Sequence, residues 1–138
     1  MDNVNKNISI IKQISHYCGE ITQFTERFGD CVGAFKTDFA YRHACSMCII
    51  HISELSTYLT DDFKIVYDGI SWKRIKAMRL QLAHKYEAVS AEKIWNIIKQ
   101  DIPALLSYCS SIAAYYDMLN RPALEFEYEQ EDEDELEQ

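Results

Sequence analysis

Residues 79–86, with the sequence RLQLAHKY, bring together the guanidinium of Arg79, the imidazole of His84 and the phenol of Tyr86. A guanidinium carries a permanent charge and a fork of donors that suits phosphate oxygens, and an imidazole can accept or donate a proton near neutral pH. On an ideal helix Arg79 and His84 lie about 140° apart, so they share a face only if the helix loosens or the arginine bends round. Taken alone, the pattern is weak, because such an arginine is more often a solvated helix residue and such a histidine is more often a hydrogen-bonded residue at a helix end.

The elements that position these residues are predicted to be helices, because apolar residues recur at helical spacing and no alternating strand pattern competes. We expect a first helix over residues 5–28 and a second over residues 34–59. A long connection from Thr60 to Gly69 follows, with Ser71 placed to cap a third helix. That third helix begins at Trp72 and ends between His84 and Glu87, so the candidate chemistry lies on its last turns.

Two further helices complete the predicted fold. Ser90 can cap a short fourth helix, after which Pro103 forces a kink or a restart because it removes a backbone donor. The fifth helix carries the most regular apolar stripe, which runs over residues 105–119. The sequence therefore predicts the all-α class, as an up-and-down bundle of four to five helices over residues 1–122.

Negative charge is concentrated at the end of the chain. Of the 22 acidic residues, nine lie between Glu125 and Gln138, where no basic residue occurs, which leaves 13 acidic against 14 basic residues elsewhere. We expect residues 123–138 to form a disordered, solvating tail, since like charge with few apolar groups cannot form a packed core. A second interpretation is that the tail mimics RNA and folds over the cleft. The overall charge of −8 is no argument against a nucleic acid partner, because the rest of the chain is close to neutral.

Five cysteines occur without a regular framework, and we find neither an export signal nor an apolar run long enough to span a membrane. We therefore expect free thiols in a cytoplasmic protein. Cys45 and Cys48 resemble a metal pair, but no second pair at ligand spacing follows them, so core positions are the better interpretation. We interpret His16, His43 and His51 as structural.

Several short motifs in the sequence resemble, in order and spacing, those of the HepT family, whose members are ribonuclease toxins with the HEPN fold. They include Ile70-Ser71-Trp72, Ile75, the run of Arg79, His84 and Tyr86, Trp95, and residues 101–105. The stretch from Ala40-Tyr41 through Cys45 and Cys48 to Ile52-Ser53-Glu54 resembles the second helix of these toxins. The resemblance covers about residues 8–120, and the string around Arg79 is its most specific part.

The resemblance implies a homodimer that cuts RNA without a metal or another cofactor. Arg79 would stabilise the charged transition state, and His84 would act as the acid or base. It also implies that Tyr86 is adenylylated by a partner nucleotidyltransferase, the MntA antitoxin. Glu54 matches a glutamate of the family, but a buried or bridging carboxylate is equally plausible there.

One position departs from the family pattern. Leu80 stands where the family usually has asparagine or another polar residue after the arginine, and leucine cannot hold a phosphate through a side-chain hydrogen bond. The alternative to a toxin is therefore a catalytically silent HEPN protein that serves as a binding partner or substrate of a nucleotidyltransferase. A third possibility is an unrelated helical bundle.

Overall fold

A computed structural model describes residues 3–84 and 91–121, and every regular element in these ranges is helical. Four long helices form the bundle: α1 (Asn3–Phe28), α3 (Phe39–Ser56), α5 (Trp72–His84) and α7 (Ile102–Leu119). Three short helices connect them: α2 (Val32–Thr37), α4 (Asp61–Val66) and α6 (Ala91–Asn96). The predicted all-α bundle is confirmed. The described residues form seven α-helices where four to five were predicted, because three short helices lie between the long ones.

The core lies where α1 packs against α3 and α7, while α3 also packs against α5. The apolar stripe of α1 faces this core, and its residues Ile11, Ile14 and Cys18 are completely buried. Burying an isoleucine side chain contributes roughly 1.5–3 kcal/mol, so a continuous stripe outweighs the modest helix propensity of isoleucine. The helix predicted over residues 5–28 is therefore confirmed, with one additional half-turn at its start.

The prediction of a single helix over residues 34–59 is wrong, because the helix is interrupted at Asp38. This residue is extended, with φ −110° and ψ 104°, and its carboxylate accepts hydrogen bonds from the backbone N–H groups of Ala40 at 2.9 Å and Tyr41 at 3.4 Å. Asp38 thus ends α2 and caps α3, since an aspartate at the N-cap satisfies donors that have no partner inside the helix. The helix also ends at Ser56 rather than at residue 59.

The predicted loop between residues 60 and 69 contains the short helix α4. Thr60 caps this helix by accepting a hydrogen bond from Phe63 N–H at 3.3 Å. The buried side chain of Asn7 on α1 holds Thr60 in turn, because its amide donates to Thr60 Oγ1 and its carbonyl accepts from Thr60 N–H, both at 3.0 Å. The cap predicted at Ser71 is confirmed by the hydrogen bond from Arg74 N–H to Ser71 Oγ at 3.3 Å.

The disruption expected near Pro103 takes the form of a wider helical turn. Residues Ile97–Asp101 form a π-helical segment that joins α6 to α7, and Pro103 lies in the first turn of α7. Proline at this position cannot donate to the carbonyl of Lys99, so the backbone adopts a different hydrogen-bonding pattern just before it. Ser90, the predicted cap of α6, lies outside the described residues.

All five cysteines are free, and Cys18, Cys45, Cys48 and Cys109 are buried. The core positions predicted for Cys45 and Cys48 are confirmed, and burial raises the pKa of both thiols to about 12. Across the described residues, no group of three or more His, Cys, Asp or Glu side chains could hold a metal ion. Among the helices at 3–84 and 91–121, none is both long enough and apolar enough to cross a membrane.

Candidate active site

Arg79 lies on α5 at the edge that borders α3, where one buried hydroxyl fixes the backbone. Ser53 of α3 is completely buried, and its Oγ accepts a hydrogen bond from Arg79 N–H at 3.1 Å and donates one to Lys76 C=O at 3.0 Å. A small side chain at this position lets the two helices approach closely. The two hydrogen bonds of this hydroxyl therefore fix where Arg79 lies along α3 and how α5 is rotated about its own axis at this point.

The guanidinium of Arg79 is exposed, and none of the described residues forms an ion pair with it. Arg74, five residues earlier on the same helix, is different. Its Nε and one terminal nitrogen each donate to the carboxylate of Asp101 at 3.0 Å, and this hydrogen-bonded ion pair raises the pKa of Arg74. The guanidinium of Arg74 thus binds a carboxylate of the same chain, whereas the guanidinium of Arg79 is available to bind an oxyanion of a ligand.

His84 is the last residue of α5, about 7.5 Å along the helix axis from Arg79 at 1.5 Å per residue. The structure thus places the backbones of Arg79 and His84 on the last two turns of the same helix. The side chain of His84 and the whole of Tyr86 lie outside the described residues. Their meeting with Arg79 remains a prediction from the sequence.

The other three histidines contact neighbouring side chains within the bundle. His16 is exposed and lies 3.0 Å from the Glu20 carboxylate one turn away. The ring of His51 stacks on Tyr17 with 5.1 Å between centroids, and the ring of His43 meets Phe39 edge-on at 6.0 Å. These contacts fit structural roles, as predicted from the sequence.

Glu54 follows Ser53 on α3 and is half-buried. Within residues 3–84 and 91–121 it forms no ion pair, although its backbone carbonyl accepts from the Thr57 hydroxyl at 2.6 Å. Both interpretations of Glu54 therefore remain predictions from the sequence.

Comparison with known families gives the decisive observation. A family model described as "Ribonuclease HepT-like" matches residues 14–112, from the middle of α1 to the middle of α7. The chain belongs to the HepT-like ribonuclease family. The matched range includes both Ser53 and the whole run from Arg79 to Tyr86, so the resemblance inferred from these strings is confirmed.

Two archaeal relatives illustrate the match. The protein named "Probable ribonuclease HepT" from Thermococcus cleftensis is 34% identical over 87 residues, which cover 62% of this chain and 76% of that protein. "Putative RNase MJ1380" from Methanocaldococcus jannaschii is 31% identical over 97 residues, which cover 70% of this chain and 87% of that protein. No solved structure matches the chain.

Sequence reasoning missed two contacts of this HepT-like protein. Ser53 stands out in the sequence only as part of a family string, and its hydrogen bonds to α5 span 23 and 26 residues of sequence. Asp101 likewise belongs to a family string, and nothing in the sequence indicates its pairing with Arg74. The serines of α3 are the signal that could have indicated a buried polar contact, because buried hydroxyls are normally hydrogen-bonded and Ser46, Ser53 and Ser56 are all buried.

Proposed function

We propose that this HepT-like protein is a metal-independent endoribonuclease and the toxin of a toxin-antitoxin pair. Arg79 and His84 are its catalytic residues. The proposal depends chiefly on Arg79, which is exposed, unpaired among the described residues and anchored through Ser53. It lies five positions before an imidazole in a member of a ribonuclease family.

The chemistry suits these two side chains. A base removes the proton of the ribose 2′-hydroxyl, the 2′-oxygen attacks the adjacent phosphorus, and the bond from phosphorus to the 5′-oxygen breaks. An acid then protonates the leaving 5′-oxygen, so the products are a 2′,3′-cyclic phosphate and a 5′-hydroxyl. His84 serves as acid or base, which contributes roughly 10²–10⁴ in rate. Arg79 stabilises the negative charge on the phosphorane, which contributes roughly a further 10²–10³.

We further propose that the protein acts as a homodimer, in which each copy supplies an arginine and a histidine to one cleft. The two copies then provide one imidazole for each proton transfer. Exposed apolar side chains on α3 support this arrangement, since Phe39 is 68% and Met47 is 55% exposed. An apolar surface on the helix that anchors Arg79 is suited to contact with a second copy.

The proposed control is covalent. A partner nucleotidyltransferase of the MntA type would transfer AMP to the hydroxyl of Tyr86 in the cytoplasm, releasing pyrophosphate from ATP. The added phosphate would repel RNA and occupy Arg79, so cleavage would stop. Coexpression with the partner followed by intact-mass measurement tests the site. An adenylyl mass that persists in Tyr86→Phe would contradict it.

The test of the activity is cleavage of a mixed RNA pool by the purified protein in EDTA. Arg79→Ala and His84→Ala serve as matched variants, and the ends of the products are analysed. We expect cyclic-phosphate ends from the wild type and their loss in both variants. Cleavage that survives in both variants would contradict the assigned residues, and cleavage abolished by EDTA would contradict the metal-independent mechanism.

Leu80 supports a second candidate function. With no polar group after Arg79, the protein would be a catalytically silent HEPN protein that binds, or is modified by, a nucleotidyltransferase. The two functions differ in a growth assay. The toxin arrests growth on expression and loses this effect in His84→Ala, whereas the silent protein arrests growth in neither form.

A further inference from the structure

Several lysine and arginine side chains in the described part of the chain form an ion pair with a specific acidic residue. Lys12 lies 3.0 Å from Asp117, Lys99 lies 2.7 Å from Asp30, and Lys36 pairs with Glu92. Arg74 pairs with Asp101 through two hydrogen bonds. These pairs lie on several faces of the bundle and neutralise the positive charge locally.

Other basic residues form no ion pair among the described residues, including Lys6, Arg27, Arg42 and Lys64, but helix α5 carries three such residues at regular spacing. Lys73, Lys76 and Arg79 are exposed, and within residues 3–84 and 91–121 none of them forms an ion pair. No acidic residue occurs in the sequence of α5 from Trp72 to His84. Three positive charges on a single helix therefore lack an ion-pair partner among the described residues, and we call Lys73, Lys76 and Arg79 the cationic ridge.

The spacing of the cationic ridge is regular. Each residue lies three positions after the last, so successive side chains are separated by about 4.5 Å along the axis and turn by about 60°. Residues at this spacing have Cβ atoms roughly 5–6 Å apart. Because lysine and arginine side chains are long, their charged ends can reach successive phosphates of one RNA strand. The ridge begins on the outer surface of α5 at Lys73 and ends at Arg79, beside α3.

The backbone that carries the cationic ridge is held in place. Ser53 bonds to the carbonyl of Lys76 and to the N–H of Arg79, so the last two members are fixed relative to α3 before any ligand binds. A fixed backbone lowers the ordering cost of binding. Arg74 projects from a different side of α5 toward Asp101, and it does not belong to the ridge.

We propose that Lys73 and Lys76 bind the phosphates of single-stranded RNA on one side of the bond that Arg79 and His84 cleave. The RNA backbone then follows α5 from Arg79 toward the start of the helix. This inference rests on the proposed ribonuclease function. It adds a substrate path, since the two lysines bind phosphates without taking part in proton transfer.

The test measures binding of a single-stranded 2′-O-methyl RNA, which cannot be cleaved because its 2′-oxygen has no proton to lose. Lys73→Gln/Lys76→Gln is compared with Lys12→Gln/Lys99→Gln, which removes the same charge from two lysines paired elsewhere. We expect the ridge variant to bind roughly tenfold or more weakly. Its slope of log affinity against log salt should fall by roughly 0.7 for each lost phosphate contact.

Each outcome of this experiment has a defined meaning. Equal affinities and salt slopes for the wild type and the ridge variant, both folded by their melting temperatures, would overturn the proposed path. An equal loss in the two double variants would also overturn it, because net charge alone would then explain binding. Binding that follows the expectation, with no cleavage of ordinary RNA by the wild type, would support the path and contradict only the proposed catalysis.

Discussion

At the scale of single residues, the hydroxyl of Ser53 links the fold to the candidate site. Replacing it in Ser53→Ala removes two hydrogen bonds to α5 and leaves a void of about one oxygen atom. We expect the free energy of unfolding to fall by about 1–2 kcal/mol, as for a buried hydroxyl with two partners. Urea denaturation measures this change, and RNA cleavage by the same variant should decline because Arg79 is no longer fixed to α3.

A neighbouring serine provides the matched control for this prediction. Ser46 lies on the same helix and is only 2% exposed, but its hydroxyl has no hydrogen-bond partner among the described residues. Ser46→Ala removes an unsatisfied polar group, so we expect little change or a small gain in stability. Equal losses in Ser46→Ala and Ser53→Ala would show that the contacts to Lys76 and Arg79 contribute nothing specific.

The sequence made Arg79 and His84 candidates because their types and spacing match a family pattern, and these roles stay predictions, whereas the core positions predicted for Cys45 and Cys48 are confirmed. It did not reveal that Ser53 contacts Arg79. Local pattern carries information about neighbours on one helix, whereas the pairing of α3 with α5 depends on how the whole bundle packs. The sequence also did not reveal that no described residue forms an ion pair with the cationic ridge, since the lysines that do form ion pairs have partners distant in sequence.

At the scale of elements, Asp38 decides where α3 begins. Its carboxylate satisfies the N–H groups of Ala40 and Tyr41, so Asp38→Ala should lower the free energy of unfolding by about 1 kcal/mol. Thermal or urea denaturation measures the loss. Asp68→Ala is the control, because Asp68 is exposed and forms no ion pair with the described residues. A loss of similar size in the control would contradict the capping role.

Apolar periodicity predicted α1, α5 and α7 well because each stripe faces the core along one uninterrupted helix. Apolar periodicity did not reveal the interruption at Asp38, because the stripe of buried apolar residues continues from α2 into α3. Phe35 on α2 and Tyr41 on α3 are both completely buried, and their rings meet edge-on at 5.0 Å. The short helix α2 and the long helix α3 face the same core and thus imitate one longer helix in the sequence, and only the extended backbone of Asp38 separates them.

At the scale of the whole molecule, the buried thiols make stability sensitive to alkaline pH. The ordinary pKa of a cysteine thiol here is 9.0, and burial raises that of Cys109 to about 12. Above pH 9 the unfolded chain loses protons that the folded chain retains, so the free energy of unfolding decreases as pH rises toward 12. We expect the melting temperature to fall over this range. The fall should be shallower in Cys109→Ala, and an identical slope in that variant would contradict the assignment.

The acidic segment at residues 123–138 changes the electrostatics of the entire protein. It lies outside the described residues, and its nine acids turn a body of 13 acidic and 14 basic residues into a chain of net charge −8. Within a Debye length of about 10 Å, such a segment can compete with RNA for the cationic ridge. If it mimics RNA, deleting the residues after Leu124 should raise RNA affinity, and the gain should shrink as salt increases.

Two variants separate charge from anchoring in this prediction. Replacing the nine acids by their amides in the full-length chain should reproduce the gain if charge alone causes competition. Replacing Phe126 and Tyr128 by alanine retains the charge and should reproduce the gain only if these rings hold the segment against the bundle. RNA affinity that stays unchanged in the deletion and in both variants would leave the segment as a solvating extension. In that case binding would be governed by the nearly neutral body, and the net charge of the chain would be irrelevant to its substrate.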